Sequence, residues 1–258
     1  GAVRGWIRTF ARYEVTSAKE QIDAAKSFRS SGIPGAMFVG LALSATGYAA
    51  LGVGTAEFGA SFRNGMKHRA FSLISRNRDP PSSEWEAPFQ GAVDALIVLA
   101  DDSADDVEAK TQQVCEELEG IARVLTVEKG TVLRNAKGEP VEHFGYVDGR
   151  SQPLFLKSDI DRERAEGVAR WDPSAPLGLV LVDDPHTDAE DALGSYLVFR
   201  KLRQDVAGFN AQVSALATRL AVDQPLAGAL VVGRFKDGTP VTLQPHDGRG
   251  AVNDFTYL

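Results

Sequence analysis

The chain has 258 residues, 43% of them hydrophobic and 24% charged, enough apolar mass for one large core or two smaller ones. Its formal net charge is −7, with 28 Lys and Arg scattered among 35 Asp and Glu. That excludes the basic stripe that phosphate binding needs, so a small-molecule partner is expected and no nucleic acid. No apolar run is long enough to span a bilayer, so no membrane partner is expected and the cytoplasm is the expected location.

The opening residues mix charge with scattered aromatics, and a weak helical signal falls on SAKEQIDAAKSFRS. An apolar, strand-like run over 36–43 then meets Ser44, a helix N-cap by type, and a short helix that stops at Gly52. Residues 58–85 hold the Pro80-Pro81 pair and read as an irregular surface excursion. A second strand, VDALIVLA from Val93, enters DDSADD, whose Asp and Ser residues suit a helix start, and an amphipathic helix runs to about Ala122. Cys115, the single cysteine, lies on it. It excludes an intrachain disulfide, points to a reducing compartment, and is expected to pack as a small apolar group. VLTVEKGTVLR reads as the returning strand.

Two such passages predict an α+β fold of the ferredoxin-like kind, an antiparallel sheet with helices packed on it. A polar stretch through Trp171, Pro173 and Pro176 reads as a boundary between an N-terminal domain over 1–175 and the first part of a second domain of the same type over 176–258. In the latter, GSYLVFRKL has strand alternation, RQDVAGFNAQVSALATRLA is helical, and PLAGALVVGRF is followed by turns to the end.

Before that boundary stands HFGYVDGRSQP, with Asp148 between apolar and glycine neighbours. Asp before Gly suits a type I′ hairpin turn or a loop bend, the carboxylate capping its own backbone. A second reading comes from the flanks: beside Gly149 a planar ligand could approach the backbone closely while the carboxylate projects over it.

GYVDGRSQP resembles the G-x-x-D-G signature, continuing to S-Q-P, of the dye-decolorising peroxidases, a haem peroxidase family. AMFVGLALSATGYAALG, WEAPFQGAVDALIVLADD, LGSYLVFRKLRQDVAGFN, VVGRFKDGTPV and NDFTYL resemble further segments of that family in the same order, from about Ala36 to Leu258. The resemblance implies two ferredoxin-like domains with haem b, iron protoporphyrin IX, bound between them on the side of the C-terminal domain. It makes Asp148 the distal group that moves a proton of bound hydrogen peroxide from one oxygen to the other. Gly149, Arg150, Ser151 and Gln152 are carried over with it as cofactor-binding residues. A carboxylate near its reference pKa of about 3.9 accepts protons mainly in acid, so an acidic optimum for dye oxidation is expected.

The family's proximal histidine and distal arginine lie beyond the segment that NDFTYL resembles, and neither is assigned within 1–258. His143, His68 and His186 read as loop or surface residues, and His246, in QPHDG, as a turn residue. Arg150, Arg200 and Arg203 are candidates for haem propionate contacts through charge-assisted hydrogen bonds. A further C-terminal segment or a companion C-terminal polypeptide is expected to carry the proximal histidine, and oligomerisation is compatible with this reading. Substrates implied are hydrogen peroxide and an organic reductant, a dye or phenolic compound, with Trp85, Trp171, Tyr146 and Tyr196 available as surface oxidation sites. The competing function is a peroxidase-like scaffold that binds or assembles without haem.

Overall fold

A computed structural model describes residues 1–70, 79–165, 172–250 and 252–253. Trp171 and the closing DFTYL run lie outside the described residues. Contacts divide the chain into two compact units, Gly1–Glu128 and Lys129–Leu258.

The first unit opens with α1 (Ala2–Tyr13) and α2 (Ala18–Ser31). Periodicity alone gave no helix for α1; it forms because Trp6 and Phe10 supply an apolar stripe, their rings stacked at 4.6 Å. The α2 helix starts at a capping box in which the Ser17 hydroxyl accepts the Glu20 amide and the Glu20 carboxylate accepts the Ser17 amide. Strand β1 (Phe38–Leu43) and helix α3 (Ala45–Ala50) follow as expected, with Ser44 capping α3 through the Gly47 amide at 3.1 Å. Next come α4 (Ala60–Ala70), broken by non-helical backbone at Gly65, and the four-residue α5 (Ala87–Gln90). The stretch expected to be irregular is therefore partly helical. Strand β2 (Ala95–Ala100) then leads to α6 (Ala104–Leu118), capped by Ser103.

β1 and β2 pair antiparallel, Val39 opposite Leu99 and Leu41 opposite Ile97. Because side chains alternate across a strand, these four residues share one face with Met37. On that face Val39 packs with Phe10 of α1 and Val114 of α6, bordered by Trp6 and Leu118. Lys110 of α6 binds Glu14, at the end of α1, at 2.6 Å. The unit is thus an antiparallel pair with helices packed on it, the expected α+β class.

The turn from β1 into α3 depends on Gly47. Both the amide and the hydroxyl of Ser44 donate to the Asp94 carbonyl, and a Cβ on Gly47 would stand 2.0 Å from that oxygen. Gly47→Ala is expected to cost about 1–3 kcal/mol by forcing backbone apart. Gly54→Ala, at a position with nothing within 4 Å, is the control, both read from denaturant midpoints.

The returning strand over 124–134 does not form as expected: only β3 (Leu133–Arg134) pairs, with β4 (Pro140–Val141). Val124, Val127 and Val132 are exposed, so no apolar face rewards a longer ladder. Helix α7 (Lys157–Ala165) follows. The strand expected over GSYLVFRKL is likewise reduced to β6 (Leu193–Gly194), paired with β5 (Val182–Asp183), and residues Tyr196, Leu197, Val198 and Phe199 are exposed.

Helix α8 (Val206–Leu220), capped by Asp205, and helix α9 (Gln224–Val232), capped by Asp223, meet at 109°. Val213, Ala217 and Ala227 bury their contact, with Phe209, Leu216 and Val222 around it. Among the described residues no single helix is long and apolar enough to cross a membrane. The contact-defined division falls at 128/129, and within the second unit Val147 and Ser151 bond to Lys236, Arg234 and Asn253 after α9.

Candidate functional site

Asp148 stands where a small hairpin leaves the core of the second unit. Val141 and Val147 form an antiparallel bridge, and the turn between them closes on Glu142, whose carboxylate accepts the amides of Phe144 at 2.6 Å and Tyr146 at 2.9 Å. Tyr146 and Val147 are buried at 5% and 8% exposure, and Asp148, Gly149 and Arg150 are exposed. Two apolar residues thus anchor the segment, and the next three present themselves to solvent.

The anchoring is specific. The Tyr146 ring meets Phe209 of α8 edge-on, and Phe144 stacks on Phe209 at 4.4 Å. The Tyr146 hydroxyl lies against Gly228 of α9, where a Cβ would stand 2.2 Å from it. Burial, and then the nearby charge of Glu142, raise the Tyr146 phenol above its ordinary value. Backbone bonds finish the job: the Val147 amide donates to the Lys236 carbonyl at 3.1 Å and the Asp148 amide to the Pro140 carbonyl at 2.9 Å.

The Asp148 carboxylate does what the turn reading expected, since Oδ1 accepts the Gly149 amide at 2.7 Å. Among the described residues, its Oδ2 accepts no hydrogen bond. The group is therefore oriented by one oxygen and has the other available as a proton acceptor. Gly149 takes φ +73° with nothing within 4 Å of where a Cβ would stand, so bare backbone faces open space beside the carboxylate. Arg150 binds Glu139 at 3.1 Å, and Gln152 is exposed.

Ser151 points the other way. Its hydroxyl donates to Asn253 Oδ1 at 2.9 Å and accepts from the Arg234 guanidinium. Arg234 also donates to Asn253 Oδ1 at 2.7 Å, to the Gly238 carbonyl at 2.6 Å and to the Val252 carbonyl at 2.9 Å. The Asn253 amide nitrogen donates onward to Glu163 of α7. The structure thus brings together GYVDGRSQ, VVGRFKDG and the start of NDFTYL, three of the segments quoted above. Arg234, Asn253, Glu163 and Glu139 were not singled out from sequence: Ser151 lies 83 residues from Arg234 and 102 from Asn253, and no local pattern links them.

Asp237 organises the loop after Arg234. Its Oδ1 accepts the Thr239 amide at 2.9 Å, and Oδ2 accepts the Thr239 hydroxyl at 3.0 Å and the amides of Gly248 at 2.8 Å and Gly250 at 3.3 Å. Burial pushes this carboxyl up, but the hydrogen bonds together outweigh it and hold it below its ordinary value. A carboxyl lowered in the folded state stabilises it fully above the unfolded value of about 3.9 and ceases to do so as pH falls through the lower folded value. Asp237→Asn is expected to lose roughly 1–2 kcal/mol at neutral pH. Its deficit against the unsubstituted protein should shrink as the pH drops below about 4, as read from denaturant midpoints across pH.

These residues fit one face of a haem: an exposed carboxylate with an unengaged oxygen, backbone without a side chain beside it, and a fixed cation in Arg150. Among the described residues no group of three or more His, Cys, Asp and Glu is placed to hold a metal ion. His246 has its Nδ1 at 3.1 Å from Gln244 Nε2 and is exposed, a turn residue as expected. An open groove of about 640 Å³ belongs to the first unit, lined by Pro34, Gly35, Met37, Asp101, Ser103 and others, and none of the residues above borders it.

Residues 8–133 match the family model described as the DyP dimeric alpha+beta barrel domain. Through this match and the relatives that follow, the chain is recognised as similar to the dye-decolorising peroxidases over most of its length. Among curated relatives, it is 44% identical over 246 residues to the multifunctional dye peroxidase DyP2 of Amycolatopsis sp., covering 92% of this chain and 51% of that protein. It is 32% identical over 215 residues to Peroxidase 2 of Mycetinis scorodonius, covering 80% and 40%. Among solved structures, a DyP-type peroxidase of Anabaena sp. superposes with a TM-score of 0.89 at 41% identity, covering 98% of this chain and 55% of that one. The chain spans about half the length of the relatives it matches. In each of these the matching region is part of one longer chain, which lends no support to a separate companion polypeptide.

Proposed function

We propose that this chain forms the distal side of a haem-dependent peroxidase that uses hydrogen peroxide to oxidise dyes and phenolic or other bulky organic compounds. The single observation that carries the reading is the Asp148 carboxylate, exposed beside a side-chain-free backbone, oriented through Oδ1 and unengaged at Oδ2. Similarity to peroxidases over nearly the whole chain supports it. Haem b supplies the redox-active iron at which peroxide is activated. With haem bound, Asp148 would take a proton from one peroxide oxygen at its carboxylate and return it to the other. The open backbone at Gly149 would leave room for the macrocycle, and the neighbouring Arg150, Ser151 and Gln152 would help to hold it.

The test is peroxide-dependent dye oxidation by the haem-loaded protein and by its Asp148→Asn variant, with haem content read from the Soret band. Loss of activity at equal haem content is expected. A protein that folds but takes up no haem would favour the scaffold function instead.

A further inference from the structure

We propose that Arg234 is a positioning residue for Asp148, its guanidinium clamping Ser151 in a left-handed conformation and so fixing the turn that presents the carboxylate. The inference rests on the role given to Asp148 above and extends it to residues more than eighty positions away.

The first observation is backbone strain. Ser151 has φ +56°, and among the described residues Ala221 is the one other non-glycine with positive φ. Ala221 ends helix α8 as its C-cap, where left-handed backbone is ordinary. Ser151 ends no helix. A non-glycine held left-handed costs on the order of 1 kcal/mol or more and persists where surrounding contacts dictate it.

The second observation supplies those contacts. The Ser151 hydroxyl is held from two sides, by Arg234 and by Asn253. The same guanidinium reaches the carbonyls of Gly238 and Val252 and the Asn253 side chain. One planar fork thereby ties the Asp148 turn, the 234–238 loop and the 252–253 segment, and Asn253 passes the connection to Glu163. Lysine carries the same charge but cannot make this set of directed bonds. The 234–238 loop also carries the Lys236 carbonyl that accepts the Val147 amide, so Arg234 holds the hairpin on both sides of Asp148.

The experiment uses Arg234→Lys, with Ser151→Ala as a second variant that removes the hydroxyl and leaves the guanidinium's bonds to the carbonyls. Amide hydrogen exchange of the whole protein should show Val147 and Asp148 exchanging at least about tenfold faster in Arg234→Lys, and measurably faster in Ser151→Ala, with α6 unchanged. If Arg234→Lys fails to fold, Ser151→Ala decides. Exchange at Val147 and Asp148 as slow as in the unsubstituted protein would overturn the proposal. In the haem-loaded enzyme, Arg234→Lys should lower kcat on the order of tenfold or more through misplacement of Asp148. Combining it with Asp148→Asn should cost nothing beyond Asp148→Asn alone. Losses that multiply would mean that Arg234 acts on something other than Asp148 and would also overturn it. Full activity in Asp148→Asn would instead remove the role given to Asp148, while the exchange result would still judge the clamp.

Discussion

Asp148→Asn in the haem-loaded enzyme is expected to lower kcat for dye oxidation by about two to four orders of magnitude, the range that a positioned proton-transfer group contributes. The substitution is nearly isosteric. An asparagine oxygen can still accept the Gly149 amide, now bonded to the carboxylate at 2.7 Å, so the turn should keep its shape. What is lost is the capacity to take and return a proton. Stability should change by no more than about 0.5 kcal/mol, since the side chain is exposed and its neighbours keep their partners. The informative comparison is kcat at equal Soret absorbance. Activity within threefold of the unsubstituted protein would show that some other group moves the proton.

Phe10→Ala should be the most damaging single change to the fold, costing about 3–5 kcal/mol. Phe10 is 2% exposed, stacks on Trp6 at 4.6 Å, and packs with Val39 of β1 and Val114 of α6. Its removal leaves a void where a helix, a strand and a second helix meet, and none of them can close it without losing the others. For a protein of this size the melting temperature should fall by roughly 2–4 °C for each kcal/mol. Tyr13→Ala on the same helix, at a side chain 70% exposed, should stay within about 0.5 kcal/mol. Equal effects from the two would mean that α1 does not dock on the strand pair as described.

Much of the first unit was legible because its signals are local. Ser44 and Ser103 were recognisable as helix starts by residue type, and each does cap a helix through an amide three residues on. The apolar runs around β1 and β2 read as strands because they are bounded by turn and cap residues and end where charge or Ser begins. The α1 helix was not legible. Its apolar stripe is short, and what makes it a helix is the surface offered by Val39 and Val114. The opposite error occurred over 195–202, where alternation suggested a strand and the structure gives none beyond β6. Alternation describes which face a strand would bury, and pairing requires a partner ladder that residue spacing cannot supply.

At the candidate site the division is sharper. The motif around Asp148 could be picked out from nine consecutive residues, since an acid beside a glycine carries its conformational and chemical meaning locally. The turn reading is seen in the structure, where the carboxylate caps its own backbone through one oxygen. That Arg150 is held by Glu139, and that Ser151 is held by Arg234 and Asn253, could not be read from spacing.

By itself the sequence determined the α+β class and the caps and strands of the first unit, properties that a few neighbouring residues set through propensity and capping, while attention to Asp148 came from a resemblance spread along the chain. The tertiary structure alone decided that α1 folds, that Tyr146 and Val147 anchor the motif beneath α8 and α9, and that Arg234 reaches the serine beside it. Each of these depends on groups far apart in the chain meeting in a desolvated space, where burial and directed hydrogen bonds outweigh local preference.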